Sequence, residues 1–307
     1  MPQGSILGPL LFLIYVNDLC NCSSVLSFTL FADDTNILYK HKDLTTAARI
    51  VNTELEMVSL WFKCNKLSLN IAKTNFTTFH PMQRKIDPVE LFIDSKKIST
   101  VSEAKFLGIY IDPYLIWKPH IDKLCSNISK VIGILYKVSC FVPPYIIKTL
   151  YDSLIHSRLS YCNIIWGNTY SSYLNHLHLL QKKAVQILSH SNYLAPSKPL
   201  FFIHRILNIF DIYKIHVAVF MYKCVKGLLP LAIVENLNYN NDFHSYYTRS
   251  SGKFCQNLSY NDISYRFFLN SGVKLWNSLN NNIKSAKNTI TFKRRFRDHL
   301  LNNYNCS

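Results

Sequence analysis

Two adjacent carboxylates, Asp33 and Asp34, are the residues of this chain best suited to chemistry. They separate two apolar, strand-forming runs, Phe28–Ala32 and Thr35–Tyr39. Such runs on either side of a short polar pair predict a β-hairpin with both acids at its tip. Carboxylate oxygens on a rigid turn are ligands that suit Mg²⁺, and bound Mg²⁺ suits phosphoryl transfer. A solvated hairpin turn explains the same two residues, so the pair alone leaves both interpretations open.

Further motifs follow in a fixed order along the chain. They are PQGSILGP at 2–9, FADD at 31–34, NKLSLN at 65–70, FLGIYID at 106–112, WKPHI at 117–121, LQKKAV at 180–185 and LWNSL at 275–279. The ordered set resembles the reverse transcriptases of non-LTR (LINE-type, jockey-like) retrotransposons, and the resemblance covers nearly the whole chain. It implies an RNA-directed DNA polymerase that primes from a nicked target.

The resemblance implies a catalytic role for three residues. Asp33 and Asp34 would hold Mg²⁺, with Mn²⁺ as the alternative ion. Lys73, just before an expected strand, would face the pyrophosphate leaving group, where a cation neutralises charge or donates a proton. A solvated lysine at the start of a strand is the other interpretation of Lys73.

The resemblance also implies contacts to the substrates. Gln3 and Gly4 would shape the pocket for the nucleotide and template. Phe106, Leu107 and Gly108 would position the primer end, where the glycine allows a close backbone approach. The implied partners are an RNA template and a DNA primer or target.

In that family, a third catalytic carboxylate and the fingers lie upstream of the Pro-Gln-Gly motif. This sequence opens at that motif, so we expect an N-terminally truncated reverse transcriptase that needs the missing upstream segment for activity. The competing hypothesis is a catalytically inactive nucleic-acid-binding remnant or domesticated fragment.

The spacing of apolar residues and the positions of glycine and proline predict the elements around these motifs. Apolar residues at helical spacing indicate helices at Leu10–Leu19, Thr45–Asn65 and His120–Cys140. Strands are expected at Asn75–His80, Glu90–Ile93 and Lys105–Ile111. The expected fold class is α/β (α+β): a partial polymerase palm with an antiparallel sheet at 1–116, a helical thumb at 117–195 and a mostly helical, basic C-terminal region at 196–307.

Charge is segregated along the 307 residues. Residues 1–122 contain 12 Lys or Arg and 12 Asp or Glu, whereas residues 123–307 contain 22 basic and 6 acidic residues. The second part therefore accounts for the whole net charge of +16. Such segregation is typical of a phosphate-binding region attached to a neutral core, although a basic surface without specific use remains an alternative.

Two groups of cations in the basic part are candidate nucleic-acid contacts. Lys123, Lys130 and Lys137 recur every seven residues, on a different helix face from the apolar repeat. The second group lies in a predicted terminal helix, Thr291–Tyr304, and consists of Lys293, Arg294, Arg295 and Arg297. Either group fits a phosphate backbone, and either also fits an ordinary solvated helix face.

The nine cysteines are scattered, and no second Cys or His pair accompanies Cys20 and Cys22 at zinc-site spacing. Reduced thiols are expected, which favours an intracellular location, in nucleus and cytoplasm. The run Ile6–Val16 is too short to span a bilayer and has no basic leader, so neither a membrane partner nor a targeting signal is evident.

Overall fold

The computed structural model describes residues 5–192, 194–230, 233, 237, 253–256 and 262–304. The chain divides into two compact units, residues 1–104 and residues 105–307. The charge divides at the same place, because the first unit has 10 basic and 10 acidic residues and the second has 24 and 8.

The first unit begins with helix α1 (Leu7–Val16) and a 3₁₀ helix (Asn17–Cys22). A hairpin follows, with β1 at Ser27–Phe31 and β2 at Asp34–Leu38. The long helix α2 spans Leu44–Cys64. Four two-residue strands complete the unit: β3 (Asn75–Phe76), β4 (Phe92–Ile93), β5 (Lys96–Lys97) and β6 (Ser99–Thr100).

The fold class is mixed α/β, but the predicted antiparallel sheet is not assembled as one sheet. The described strands form separate two-stranded pairs, of which β1–β2 and β4–β5 are antiparallel and β3–β6 is parallel. The expected strand Asn75–His80 is reduced to two residues. Pro81 and Pro88 lie in the segment that follows it, and proline cannot donate to a strand ladder.

Helix α2 agrees with its predicted range and is well defined at its start. The carboxylate of Asp43 accepts 2.7 Å hydrogen bonds from the Thr46 amide and the Thr45 hydroxyl. These bonds cap the helix and lower the pKa of Asp43. Leu55 and Val58 on one face are buried in two small apolar clusters, which hold the helix against the short strands and the hairpin.

Helix α1 starts three residues earlier than predicted. Pro9 lies in its first turn, where the backbone amides have no helical partner, so the proline is accommodated there. Most of its apolar side chains are exposed: Leu7, Leu10, Leu11, Leu13 and Ile14. An apolar surface of this kind is typical of a face that another element covers.

The second unit opens with two short strands, β7 (Ala104–Phe106) and β8 (Ile109–Ile111), which pair with each other. Its remaining described elements are helical. They are α3 (Lys118–Val138), α4 (Pro144–Tyr151), a π-helical segment (Asp152–His156), α5 (Ser157–Ser160), α6 (Asn163–Trp166), α7 (Ser171–Leu188), α8 (Ser197–Ile203), α9 (Ile209–Val225), α10 (Asp262–Arg266), α11 (Phe268–Ser278), α12 (Asn281–Lys284) and α13 (Thr289–Asn302).

One large hydrophobic core runs through this unit. Its fully buried side chains include Tyr151, Trp166 and Phe292. Helix α9 packs against both α11 and α13. Gly272 permits the close approach of α11, since a Cβ at this position would lie 2.9 Å from Sδ of Met221. The predicted boundary between thumb and C-terminal region falls within this shared core, and the names palm, thumb and C-terminal region remain predictions.

Two further predictions from the sequence concern the cysteines and membrane-spanning segments. In the part of the chain that the structure describes, every cysteine is a free thiol. No helix among these residues combines the length and apolar character needed to cross a bilayer.

Acid should destabilise the second unit through His120. Its ring is buried, with its centroid 5.4 Å from that of Trp166. Burial, and secondarily the charge of Lys123, lowers its pKa to about 4. An unfolded histidine titrates at about 6.5, so between these pH values the unfolded state binds more protons. Stability should therefore fall as the pH is lowered from 7 towards 4, measured as the denaturant midpoint.

The variant His120→Phe should show a flatter dependence of this midpoint on pH. The matched control is His176→Gln, which removes an exposed histidine from α7 of the same unit. A wild-type slope in His120→Phe would show that other groups govern the acid response.

Candidate catalytic and nucleic-acid-binding site

The predicted carboxylate hairpin is confirmed. Strands β1 and β2 pair from Ser27 with Leu38 to Phe31 with Asp34, and Ala32 and Asp33 form the two-residue turn. Ala32 has φ 51°, the left-handed conformation that short hairpin turns require. Both aspartates are exposed at the tip. The strands lie one residue earlier than predicted, so Asp34 is the first residue of β2 and only Asp33 lies in the turn.

The two carboxylates suit a hard divalent cation. Mg²⁺ in phosphoryl-transfer sites is commonly held by one or two carboxylates and otherwise by water and substrate oxygens. Exposed oxygens on a short, paired hairpin meet that description. Within the described ranges, no three His, Cys, Asp or Glu side chains come together as a complete metal site. The hairpin therefore fits as a partial ligand set.

Lys73 is exposed and lies in a turn two residues before β3. The turn is held by Asn70, whose backbone carbonyl accepts hydrogen bonds from the Lys73 amide (3.1 Å) and the Thr74 hydroxyl (3.0 Å). The backbone of Lys73 is therefore fixed while its ammonium group faces solvent. This arrangement fits both interpretations of Lys73 given above.

The strand expected at Lys105–Ile111 is divided by a turn into β7 and β8. Leu107 and Gly108 have φ values of 45° and 82°, and they form a two-residue turn between β7 and β8. The Tyr161 hydroxyl donates a 2.6 Å hydrogen bond to the Leu107 carbonyl and braces this turn. Phe106 ends β7 and is half-buried, while Gly108 is exposed. The three residues thus occupy the end of a hairpin.

Sequence reasoning missed Asp112, which organises the chain directly after this hairpin. Its buried carboxylate accepts hydrogen bonds from the amides of Tyr114 (3.2 Å), Ile116 (3.1 Å) and Trp117 (2.7 Å). These bonds fix the loop that leads into α3. The sequence does contain a signal for this turn, because an Asp-Pro pair is a frequent turn initiator.

Helix α3 agrees with its prediction at both ends to within two residues. Its apolar repeat is buried, from Ile121 to Leu135. Lys123, Lys130 and Lys137, named here the lysine stripe, are all exposed. Nζ of Lys123 lies 3.5 Å from the ring centroid of Tyr110, a cation–π contact within the unit.

The four cations of helix α13 do not form one surface. Lys293, Arg294 and Arg295 are exposed and Arg297 is half-buried. Arg295 donates a 2.7 Å hydrogen bond to the Asn282 carbonyl, and Arg297 donates a 2.5 Å bond to the Arg205 carbonyl. Two of the four guanidinium or ammonium groups therefore have structural partners. Phe292 and Phe296 on the same helix are buried in the core.

Gln3 and Gly4, predicted to shape the nucleotide pocket, lie outside the described residues.

Among known proteins, the match to a family model lies in the first part of the chain. Residues 1–111 match the family model described as reverse transcriptase (RNA-dependent DNA polymerase). The probable RNA-directed DNA polymerase from transposon X-element of Drosophila melanogaster is 22% identical over 218 residues, which are 69% of this chain and 24% of that protein. The RNA-directed DNA polymerase from mobile element jockey of Drosophila funebris is 26% identical over 200 residues, 62% of this chain and 22% of that protein. This chain is a relative of the jockey-like reverse transcriptases.

A further relative is the probable RNA-directed DNA polymerase from transposon BS of Drosophila melanogaster, 26% identical over 225 residues, 68% of this chain and 24% of that protein. The chain spans about a quarter of the length of the curated relatives that it matches. No solved structure matches it significantly.

The reverse-transcriptase match includes the hairpin, Lys73 and Phe106–Gly108. The lysine stripe and the cations of α13 lie beyond it, although the pairwise matches extend over 200 or more residues. The catalytic candidates are therefore within the family segment, whereas the basic candidates depend on charge and exposure.

Proposed function

We propose that this chain supplies part of the polymerase of a non-LTR retrotransposon and takes part in RNA-directed DNA synthesis. One observation supports this best: two adjacent carboxylates are exposed at the tip of a two-residue hairpin inside the reverse-transcriptase segment. A polymerase needs negative oxygen ligands on a rigid element that a primer end can approach. Asp33 and Asp34 meet that need.

Asp33 and Asp34 are the proposed ligands for Mg²⁺, with Mn²⁺ as a substitute. When bound there, such an ion supplies charge stabilisation for the attacking and leaving oxygens of an in-line nucleotidyl transfer. The protein's own contribution is to present the carboxylates on a paired hairpin whose strands fix their positions. Lys73 contributes an exposed ammonium group on a fixed turn, suited to the charge of the departing pyrophosphate.

The proposed substrates are an RNA template and a DNA primer or target. In this proposal Phe106, Leu107 and Gly108 contact the primer end from the β7–β8 turn, and Gln3 and Gly4 contact the nucleotide and template. The lysine stripe contacts a phosphate backbone from the second unit, whose excess of basic residues attracts nucleic acid. Such work would take place in the nucleus and cytoplasm.

A second candidate function is nucleic-acid binding without polymerisation. The observation that favours it is the concentration of positive charge in residues 105–307, together with a hairpin that offers only two carboxylates. The two candidates share the binding role of the basic unit. They differ in whether the carboxylates are used.

Primer extension separates the two candidates. Residues 1–307 alone should not extend a primer on an RNA template with Mg²⁺ or Mn²⁺, because two acids on one turn do not by themselves fix two ions and the primer end. The same residues should support extension when they replace the matching segment of the X-element polymerase. The unmodified X-element protein is the positive control.

Each result has a distinct meaning. Template-dependent extension by residues 1–307 alone, abolished by Asp34→Ala, would show that the chain is a sufficient polymerase. A replacement protein that folds and binds primer–template yet extends nothing would favour the second candidate, binding without synthesis.

A further inference from the structure

A cationic cavity lies in the second unit, away from every residue assigned above except two on α13. Its volume is about 190 Å³. It is lined by polar side chains from four elements: Lys148 from α4, Asp152 and His156 from the π-helical segment, His216 from α9, and Lys293 and Arg297 from α13. Buried apolar residues, including Ile212 and Ile215, form the rest of its wall.

Positive charge exceeds negative charge in this cavity. Asp152 is its one lining carboxylate, and it is paired with Lys148 at 2.8 Å. Among the described residues, neither Lys293 nor Arg297 is within ion-pair distance of a carboxylate. The cavity therefore has two cations whose charge is not neutralised nearby.

Arg297 has an unused donor at this place. Its Nη2 donates to the Arg205 carbonyl, which fixes the guanidinium plane. Its Nε is buried and has no hydrogen-bond partner among the described residues. A buried N–H of a charged group without an acceptor is unfavourable, so an anionic oxygen in the cavity would stabilise it.

His156 and His216 each gain a second N–H hydrogen-bond donor when the ring takes up a proton. Burial, and secondarily the charges of Lys293 and His156, lowers the pKa of His216 to about 4. Burial also lowers the pKa of His156, which Asp152 opposes and Arg297, Lys148 and Lys293 reinforce. A bound anion would favour the protonated form of both rings, because it supplies the opposite charge that burial has removed.

The backbone around the cavity is also unusual. Residues Asp152–His156 form a π-helical segment between α4 and α5, and its first and last residues both line the cavity. Single π turns inside α-helices occur frequently at functional sites. Asp152 and His156 lie four residues apart in this segment, on the same wall of the cavity.

We propose that this cavity binds a phosphate group. A volume of 190 Å³ has room for a tetrahedral oxyanion together with several waters. Lysine, arginine and histidine together offer donors from three directions, which suits an anion with several oxygens. The group could come from free phosphate or from the terminal phosphate of a nucleic-acid strand. The site lies wholly in residues 105–307, so it does not depend on polymerase activity.

Sulfate and inorganic phosphate are the first probes. Their binding to the full chain is measured by calorimetry at constant ionic strength. Lys293→Gln should weaken sulfate binding at least about tenfold, because it removes a cation that no carboxylate neutralises. Lys293 is exposed, so the variant should still fold. Lys287→Gln, which removes the same charge from an exposed position two residues before α13 and outside the cavity, should leave affinity unchanged. Equal affinity of Lys293→Gln and wild type would overturn the proposal, as would the absence of saturable binding in the wild type.

The pH dependence gives a second, independent readout. Sulfate keeps its charge between about pH 7 and pH 5, a range that approaches the lowered pKa of His216, so any gain in affinity on acidification comes from the protein. Affinity should rise over this range and protons should be taken up on binding, seen as a heat that varies with the buffer. His216→Gln should reduce the uptake. Uptake equal to that of the wild type in this variant would contradict the assigned role of His216.

Oligonucleotides distinguish the source of the phosphate. A 5′-phosphorylated strand that binds more tightly than its 5′-hydroxyl counterpart, with the difference lost in Lys293→Gln, identifies a strand terminus as ligand. Equal binding of the two strands, with sulfate binding still dependent on Lys293, identifies free phosphate. Failure of primer extension changes neither result.

Discussion

Asp33→Ala should lower RNA-templated DNA synthesis by orders of magnitude when this chain replaces the matching segment of the X-element polymerase. The carboxylate is exposed in the hairpin turn, where a metal ion can reach it. Charge stabilisation by preorganised groups commonly contributes most to such catalysis, and removal of one group typically costs about 10²–10³ in rate. Loss of a metal ligand should cost at least that much. Primer extension under saturating substrate measures the effect.

The same substitution should leave folding almost unchanged, because an exposed turn side chain contributes little to stability. Asp87→Ala is the matched control: it removes an exposed carboxylate from a loop of the same unit and should extend primers at the wild-type rate. Asp34→Asn tests the second ligand with minimal change of shape. Near wild-type synthesis by Asp33→Ala would remove the hairpin from the catalytic site.

The long amphipathic helices could be predicted from the sequence because one physical signal dominates them. In α2 and α3, apolar residues recur at helical spacing over 21 residues each, and burial of that face decides the structure. The carboxylate hairpin was also predictable, since its two strands flank a short polar turn. In each case local pattern and tertiary packing agree.

The short strands could not be predicted as reliably, because local backbone conformation decides them. Leu107 adopts φ 45°, which an apolar residue rarely does, so the pattern of FLGIYI predicts one strand although the segment contains a turn. A distant partner braces that turn, the hydroxyl of Tyr161, which is 54 residues away. No pattern within the segment contains that information.

The cavity in the second unit shows the same limit for functional residues. His156, His216 and Arg297 are far apart in the sequence and come from three elements. The sequence alone groups Arg297 with the other basic residues of α13, which include Lys293 and Arg294. Only the packing of α9 against α13 separates Lys293 and Arg297, which line the cavity, from Arg294, which does not.

Replacement of the lysine stripe should flatten the salt dependence of nucleic-acid binding. Binding that neutralises phosphates releases counterions, so the logarithm of affinity falls with the logarithm of salt by about 0.9 for each contact to duplex DNA. Lys123, Lys130 and Lys137 are exposed on one face of a rigid helix. The triple glutamine variant should therefore lower the slope by about three units, measured by fluorescence anisotropy between about 50 and 200 mM salt.

The control for this experiment removes equal charge from the other unit. Lys40, Lys42 and Lys66 are exposed in residues 1–104, and their triple glutamine variant should keep the wild-type slope. Single variants add detail: Lys130→Gln should change the slope more than Lys123→Gln, because Nζ of Lys123 already lies against the Tyr110 ring. A slope that both triple variants lower equally would mean that net charge, rather than the stripe, determines binding. Affinity that does not respond to salt in the wild type would exclude the phosphate backbone as the partner of α3.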